Sequence, residues 1–164
     1  MSDEDIKIHR GLNNVYFDRT KTTYINGKEG VLEYRGYNIH DLSEKSSFEE
    51  VSYLLLYGKL PTKNELDLFN KSLKESREIP SKVIDIIRSI KESHPMDVLR
   101  TAVSALSAFD EEASDKSYDA TMRKGIRLTS QVPTIVMAHN AIRAGKNPVE
   151  PSKELSHAAN FIYM

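Results

Sequence analysis

HPMDVLRTAVSAL, at residues 94–106, carries the clearest structural signal of the chain. Proline is well tolerated at the first position of a helix, so Pro95 marks a helix start. Small apolar side chains recur in the residues that follow, and small side chains allow a second helix to approach closely. The sequence therefore predicts a tightly packed helix near 96–109, with His94 in a local capping or packing role before it.

A second long helix is predicted at residues 119–144, ending at Gly145. Its length of about 26 residues would span roughly 39 Å. Pro133 is expected to kink it, because a proline inside a helix removes a backbone donor and clashes one turn back. The polar stretch 110–117 lacks the alternating Asp/Asn and central Gly of a calcium loop. We therefore interpret it as a solvated linker and not as an ion site.

Three shorter helices are predicted before this pair. Ser47-Phe48-Glu49-Glu50 has the form of a capping box and opens a helix at about 47–57, which Gly58 closes. Thr62 begins a second capping box and an amphipathic surface helix. The third helix starts near Pro80-Ser81, and its apolar surface is too wide for a helix that is exposed on one side.

The N-terminal part of the chain predicts a single β-hairpin. Residues 20–25 and 31–35 are rich in β-forming side chains, and the segment 26–30 between them contains an Asn-Gly pair that favours a tight turn. The glycines of this turn could also belong to a phosphate-binding loop, but no GK[ST] follows and no helix opens directly behind them. The turn is therefore favoured. Residues 1–10 are polar and are expected to form a flexible segment.

The last helix is predicted to begin after Pro151-Ser152 and to include Leu155. Its apolar pattern continues to Met164 without a capping residue, which favours truncation in the middle of a helix. Glu154 lies one turn before His157, so the carboxylate could raise the pKa of the imidazole. A pair on the helix surface is the favoured interpretation of these two residues.

Composition excludes several classes of partner. The formal net charge is −1, with basic and acidic residues interspersed, so nothing predicts binding to nucleic acid or to a membrane surface. Cysteine is absent, which rules out disulfides, thiolate metal ligands and a cysteine nucleophile, and fits a reducing compartment. No apolar run approaches the ~18 residues of a membrane span. We therefore expect a cytoplasmic protein.

The residues alone predict no catalytic site. The five histidines do not pair at the i, i+4 spacing of a HExxH zinc site. They are His9, His40, His94, His139 and His157. Ser104, Ser107 and Ser130 lie in predicted helices without the Gly-x-Ser-x-Gly elbow of a serine hydrolase.

Five ordered motifs resemble the N-terminal part of the citrate synthase and 2-methylcitrate synthase family. They are the pair Gly11-Leu12, LEYRGY at 32–37, YLLLYGKLP at 53–61, HPMDVLRTAVSAL at 94–106 and LSHAANFIYM at 155–164. The resemblance implies a mainly α fold, with a short N-terminal β-hairpin and a citrate-synthase-like portion of the helical large domain. Residues 11–164 would be the N-terminal portion of that domain, truncated before the catalytic region.

The resemblance also implies a reaction. Family members are acyltransferases that condense acetyl-CoA or propionyl-CoA with oxaloacetate, as in the tricarboxylic acid cycle. They use two histidines, an aspartate and dicarboxylate-binding arginines, which lie in a histidine-bearing helix and a later GPLHGGAN-like segment. Neither segment is present here, so no catalytic, cofactor-binding or metal-binding residue is expected within 1–164. The CoA thioester is a substrate and not a bound cofactor, and the chain alone is expected to be inactive.

The family forms homodimers, which implies a dimer interface through the helices near 96–109 and 119–144. Ala102, Ala105 and Gly125 would allow those helices to cross tightly. A non-catalytic helical interaction module that kept this scaffold is the alternative interpretation. The uncapped last helix favours the enzyme fragment over the module.

Overall fold

The computed structural model describes residues 10–12, 15–16 and 18–164. Within this part, a one-turn 3₁₀ helix at Arg10–Leu12 precedes a three-stranded antiparallel sheet and seven α-helices. The predicted mainly α fold with a small N-terminal β element is confirmed. The flexible segment predicted at 1–10 lies outside the described residues, apart from Arg10.

Most elements follow one another with short connections, and the longest connection joins the last two helices. The strands are β1 (Thr23–Asn26), β2 (Val31–Tyr34) and β3 (Tyr37–Asn38). The helices are α1 (Ile39–Lys45), α2 (Phe48–Tyr57), α3 (Lys63–Glu75), α4 (Ser81–Ser89), α5 (Pro95–Leu106), α6 (Tyr118–Arg143) and α7 (His157–Tyr163). A 3₁₀ turn at Ser107–Phe109 extends α5.

The sheet contains one strand more than predicted. Asn26 pairs with Val31 across the β1–β2 turn, so the predicted hairpin is confirmed. The expectation of a single hairpin is wrong, because Arg35 and Gly36 reverse the chain again into β3. Both have positive φ, 52° and 86°, as a two-residue turn between antiparallel strands requires. A non-glycine residue at positive φ is uncommon, which is why the second turn could not be predicted.

Both predicted capping boxes are confirmed. The Ser47 hydroxyl accepts the N–H of Glu50 at 3.2 Å, and the Glu50 carboxylate accepts the N–H of Ser47 at 2.7 Å. Thr62 and Glu65 repeat this exchange at the start of α3. Each box satisfies backbone donors that have no partner inside the first helical turn.

The helices of the structure differ from the predicted ones in two places. α1 was not predicted, because its seven residues bury only Leu42 and so show no apolar period. α7 begins at His157, later than predicted, and residues 151–155 are not helical. There the Ser152 hydroxyl accepts the N–H groups of Glu154 and Leu155, which competes with helix formation.

The main hydrophobic core lies between α4, α5 and α6. Its buried members are Val83, Ile87, Val98, Ala102, Leu106, Ile135, Ala138 and Ile142. The wide apolar surface predicted for α4 is thus confirmed as a buried surface. α6 is helical through Pro133, and the kink there stays a prediction.

The three small residues predicted at inter-subunit crossings pack against elements of their own chain. Ala102 is fully buried in the main core. A Cβ added to Gly125 would lie 3.3 Å from a methyl of Leu56, so this glycine allows α6 to approach α2. Ala105 is half-buried and packs against the same core. These residues therefore stabilise the fold of a single chain.

The RGY turn and the YLLLYGKLP motif meet in space. The Arg35 guanidinium donates to the carbonyl of Leu55 at 3.1 Å and lies beside Gly58. Gly58 ends α2 with φ of 82°, as predicted for a C-terminal left-handed residue. The arginine thus ties the sheet to the end of α2 by satisfying one of its last carbonyls.

No helix in the described part of the chain is long and apolar enough to cross a lipid bilayer.

Candidate functional site

The histidines of the described residues occupy separate structural positions. His94 caps α5: its Nδ1 accepts the N–H of Met96 at 3.2 Å, which confirms the predicted local role. His139 is buried in α6, with Nε2 at 3.0 Å from the carbonyl of Lys91. His40 lies exposed in the first turn of α1. His9 lies outside the described residues.

Two of the three serine hydroxyls singled out in the sequence bond to a backbone carbonyl one turn earlier. Ser130 donates to the carbonyl of Ile126 at 3.0 Å, and Ser107 donates to the carbonyl of Ser104 at 2.8 Å. A nucleophilic serine needs a base within hydrogen-bond reach, whereas these two hydroxyls donate to backbone carbonyls.

Among residues 10–12, 15–16 and 18–164, no group of three or more His, Asp or Glu side chains could hold a metal ion.

A cavity of about 480 Å³ opens between the end of α5, the 110–117 loop and α6. Leu106, Phe109 and Leu128 form part of its wall, together with the charged residues Asp110 and Arg127. Arg127 donates to both carboxylate oxygens of Asp110 at 2.8 Å. The cation is therefore already neutralised, and the cavity does not offer the free arginines that would bind a dicarboxylate.

The 110–117 loop is exposed at most of its positions, as predicted, and two of its acidic residues are in addition ion-paired to α6. Glu112 accepts from Arg127 at 2.9 Å and also from Arg123. These two arginines lower the pKa of Glu112 to about 2. Lys124 donates to the carbonyls of Glu112 and Asp115. Both carboxylate and carbonyl oxygens of the loop thus bind one face of α6.

The sequence did not predict a polar cluster at the base of α7, which consists of the buried residues Arg77, Thr134, His157 and Asn160 and the half-buried Glu49. Arg77 is 2% exposed, and its guanidinium donates to the carbonyls of Ser152 and Leu155. Burial lowers the pKa of Arg77.

Asn160 holds the same segment, and Thr134 holds the backbone of Arg77. Asn160 accepts the N–H of Ser152 at 2.7 Å through its side-chain oxygen. The Thr134 hydroxyl donates to the carbonyl of Arg77 at 2.9 Å. Arg77 follows α3 in a polar stretch without periodicity, so no sequence pattern pointed to its burial.

The position of His157 shows that the predicted surface pair with Glu154 is wrong. The residue is 8% exposed, and its ring stacks on the ring of Phe48, with 4.3 Å between ring centroids. Its backbone N–H donates to the Glu49 carboxylate at 2.8 Å. Because α7 begins at His157, Glu154 lies outside the helix, and the predicted surface pair does not exist. Burial lowers the pKa of His157 instead of Glu154 raising it.

The sequence model described as "Citrate synthase, C-terminal domain" matches residues 11–164. The chain belongs to the citrate synthase family. Among its relatives, citrate synthase of Deinococcus radiodurans is 44% identical over 158 residues, covering 96% of this chain and 42% of that protein. 2-Methylcitrate synthase 1 of Corynebacterium glutamicum is 37% identical over 161 residues, covering 98% of this chain and 42% of that protein.

Solved structures agree with this assignment. Citrate synthase from Pyrobaculum aerophilum superposes with a TM-score of 0.91 at 38% identity, over 96% of this chain and 42% of that one. The enzyme from Thermoplasma acidophilum, in a ternary complex with carboxymethyl coenzyme A and oxaloacetate, has a TM-score of 0.89 at 28% identity, over 95% of this chain and 41% of that one. The chain therefore spans about two-fifths of the length of these relatives.

Proposed function

We propose that this sequence is the N-terminal portion of the large domain of a citrate synthase or 2-methylcitrate synthase. The parent protein would condense acetyl-CoA or propionyl-CoA with oxaloacetate. The agreement of fold and sequence along nearly the whole chain with citrate synthases carries the proposal. A cytoplasmic location belongs to the same proposal and rests on the cysteine-free composition.

The chain itself is proposed to supply scaffold and no catalytic residue. The condensation needs a base that removes an α-proton and a donor that stabilises the enolate. His94 and His139 are committed to backbone groups of their own surroundings, and His157 is buried against Phe48. The catalytic groups would therefore come from the part of the relatives that this chain does not match.

A second copy of the chain is proposed to bind the outer face of α5 and α6. Leu128, Val132 and Val136 follow one another at i, i+4 and i+8 on α6, so they lie on one face. Leu128 is 39% exposed and Val136 is 37% exposed. An exposed apolar strip of this kind on α6 favours association with a helix of a second copy of the chain.

A chimera tests the proposal. Residues 11–164 would replace the matching part of the Deinococcus radiodurans citrate synthase, and thiol release from acetyl-CoA would be measured with and without oxaloacetate. We expect oxaloacetate-dependent release by the chimera, because the missing groups are supplied in place, and none by the 164-residue chain alone.

Two outcomes would refute parts of this proposal. A folded chimera without activity would favour the non-catalytic interaction module. Saturable, oxaloacetate-dependent release by the 164-residue chain would place catalytic groups within it, and substitution of His94, His139 and His157 would then identify them.

A further inference from the structure

α7 docks on the rest of the chain through polar side chains. Its buried positions include His157 and Asn160, whereas Phe161 and Ile162 are exposed, Ile162 by 82%. An amphipathic helix usually docks through its apolar face. Docking of α7 therefore depends on hydrogen bonds and charges more than on burial of apolar area, and a change of charge at its buried face should affect it strongly.

The His157 ring occupies a site that suits only its neutral form. Nδ1 is buried and has no hydrogen-bond partner. In the neutral ring the proton can reside on Nε2, and Nδ1 is then an unprotonated acceptor. The protonated ring carries N–H groups on both nitrogens, so a buried Nδ1–H would lack an acceptor. Burial of an unpaired donor on a charged group is costly.

The elements packed against the ring supply one charge of each sign. Glu49 of α2 favours the imidazolium, but its carboxylate already accepts the N–H of His157. Arg77, which follows α3, opposes a second positive charge. α6 contributes the neutral Thr134, which donates to the backbone carbonyl of Arg77. In the segment before α7, Lys153 pairs with Glu78 at 2.8 Å. Burial of the ring and the charge of Arg77 together outweigh the effect of Glu49 and lower the pKa of His157, and burial is the largest cause.

We propose that His157 is a proton-operated latch: the neutral ring holds α7 on α2, and a proton gained at Nδ1 releases α7 together with residues 152–156. The released ring regains its ordinary pKa near 6.5. Because the docked pKa is lower, docking is at full strength above pH 6.5 and weakens as the pH falls below that value. The latch is independent of the reaction proposed for the parent protein.

Hydrogen exchange of the full chain, followed peptide by peptide between pH 8 and pH 5, tests the latch. After correction for intrinsic exchange, the opening equilibrium of α7 should rise as the pH falls to 5, by up to about thirty-fold, the limit reached when only the released ring takes up a proton. His157→Phe keeps an aromatic ring against Phe48 but cannot titrate, so its α7 protection should not vary with pH. His94→Gln, at an exposed cap, should keep the wild-type response.

His139 is the second buried histidine and needs its own control. Peptides from 135–143 report on it separately, and His139→Gln should leave the pH response of α7 unchanged. Ring-proton NMR of the wild-type chain gives a reading that needs no variant: the His157 signal should titrate together with the loss of α7 protection.

Three results would overturn the latch. One is α7 protection in the wild-type chain that is equal at pH 8 and pH 5. Another is an unprotected α7 at pH 8, where the ring is neutral. The third is a pH response that persists in His157→Phe.

Discussion

Gly58 ends α2 in a left-handed conformation, with φ of 82°. A Cβ at this position would lie 3.8 Å from the Arg35 guanidinium, which is an ordinary contact, so the backbone conformation alone should make Gly58→Ala unfavourable. We expect a loss of about 1 kcal/mol in the free energy of unfolding, measured by urea denaturation. Gly27→Ala is the matched control, because Gly27 has neither a positive φ nor a neighbour within 4 Å of an added Cβ. An equal loss in both variants would contradict this argument.

Arg77 is the residue on which the 152–155 segment depends. Arg77→Met keeps much of the side-chain volume but leaves the carbonyls of Ser152 and Leu155 without their donor. We expect a destabilisation of about 2–4 kcal/mol by the same measurement. Arg88→Met removes a half-exposed arginine that pairs with Asp85 at 2.9 Å, and should cost less than about 0.5 kcal/mol. A small effect at Arg77 would mean that water replaces the guanidinium.

Helix starts and ends were predictable where their determinants are local. The capping boxes at Ser47 and Thr62 and the Gly58 terminus lie within a few residues of the structure they specify. The start of α7 also has a local determinant, since the Ser156 hydroxyl accepts the N–H of Ala159 as an N-cap serine does. The burial of His157 was not predictable, because the contacts of this residue come from α2 and from the segment after α3. Tertiary contacts of this kind leave no period in the sequence.

The connection between the 110–117 loop and α6 should weaken in acid. Arg123 and Arg127 lower the pKa of Glu112 from 4.5 to about 2, so this carboxylate stabilises the fold fully above pH 4.5 and loses that effect as the pH falls toward 2. Glu112→Gln should therefore make the free energy of unfolding vary less with pH in this window. Glu111→Gln, at an exposed neighbouring position, should keep the wild-type slope. A steeper slope in Glu112→Gln would contradict the assignment.

At the scale of the whole molecule, the motifs were sufficient to predict the family, but not to predict which parts of the protein each motif residue contacts. HPMDVLRTAVSAL forms α5 as expected, but Ala102 within it serves the core of its own chain. Small residues indicate that helices cross closely, and they do not indicate whether the partner helix belongs to the same chain. The absence of a catalytic group from this chain remains a prediction, because it rests on the resemblance and not on a measurement.

The last prediction concerns assembly. The helices α5 and α6 have one set of residues in the core of the chain and another set on its outer surface. Leu128 lies on the exposed strip of α6, so Leu128→Glu should leave the helical circular dichroism unchanged while it converts a dimer to a monomer in sedimentation at tens of micromolar. Ala102 is fully buried among α4, α5 and α6, so Ala102→Glu should instead lose helical structure, because it places an unpaired charge in the core. A wild-type chain that sediments as a monomer, or a Leu128→Glu variant that stays dimeric, would show that this strip is not where two copies meet.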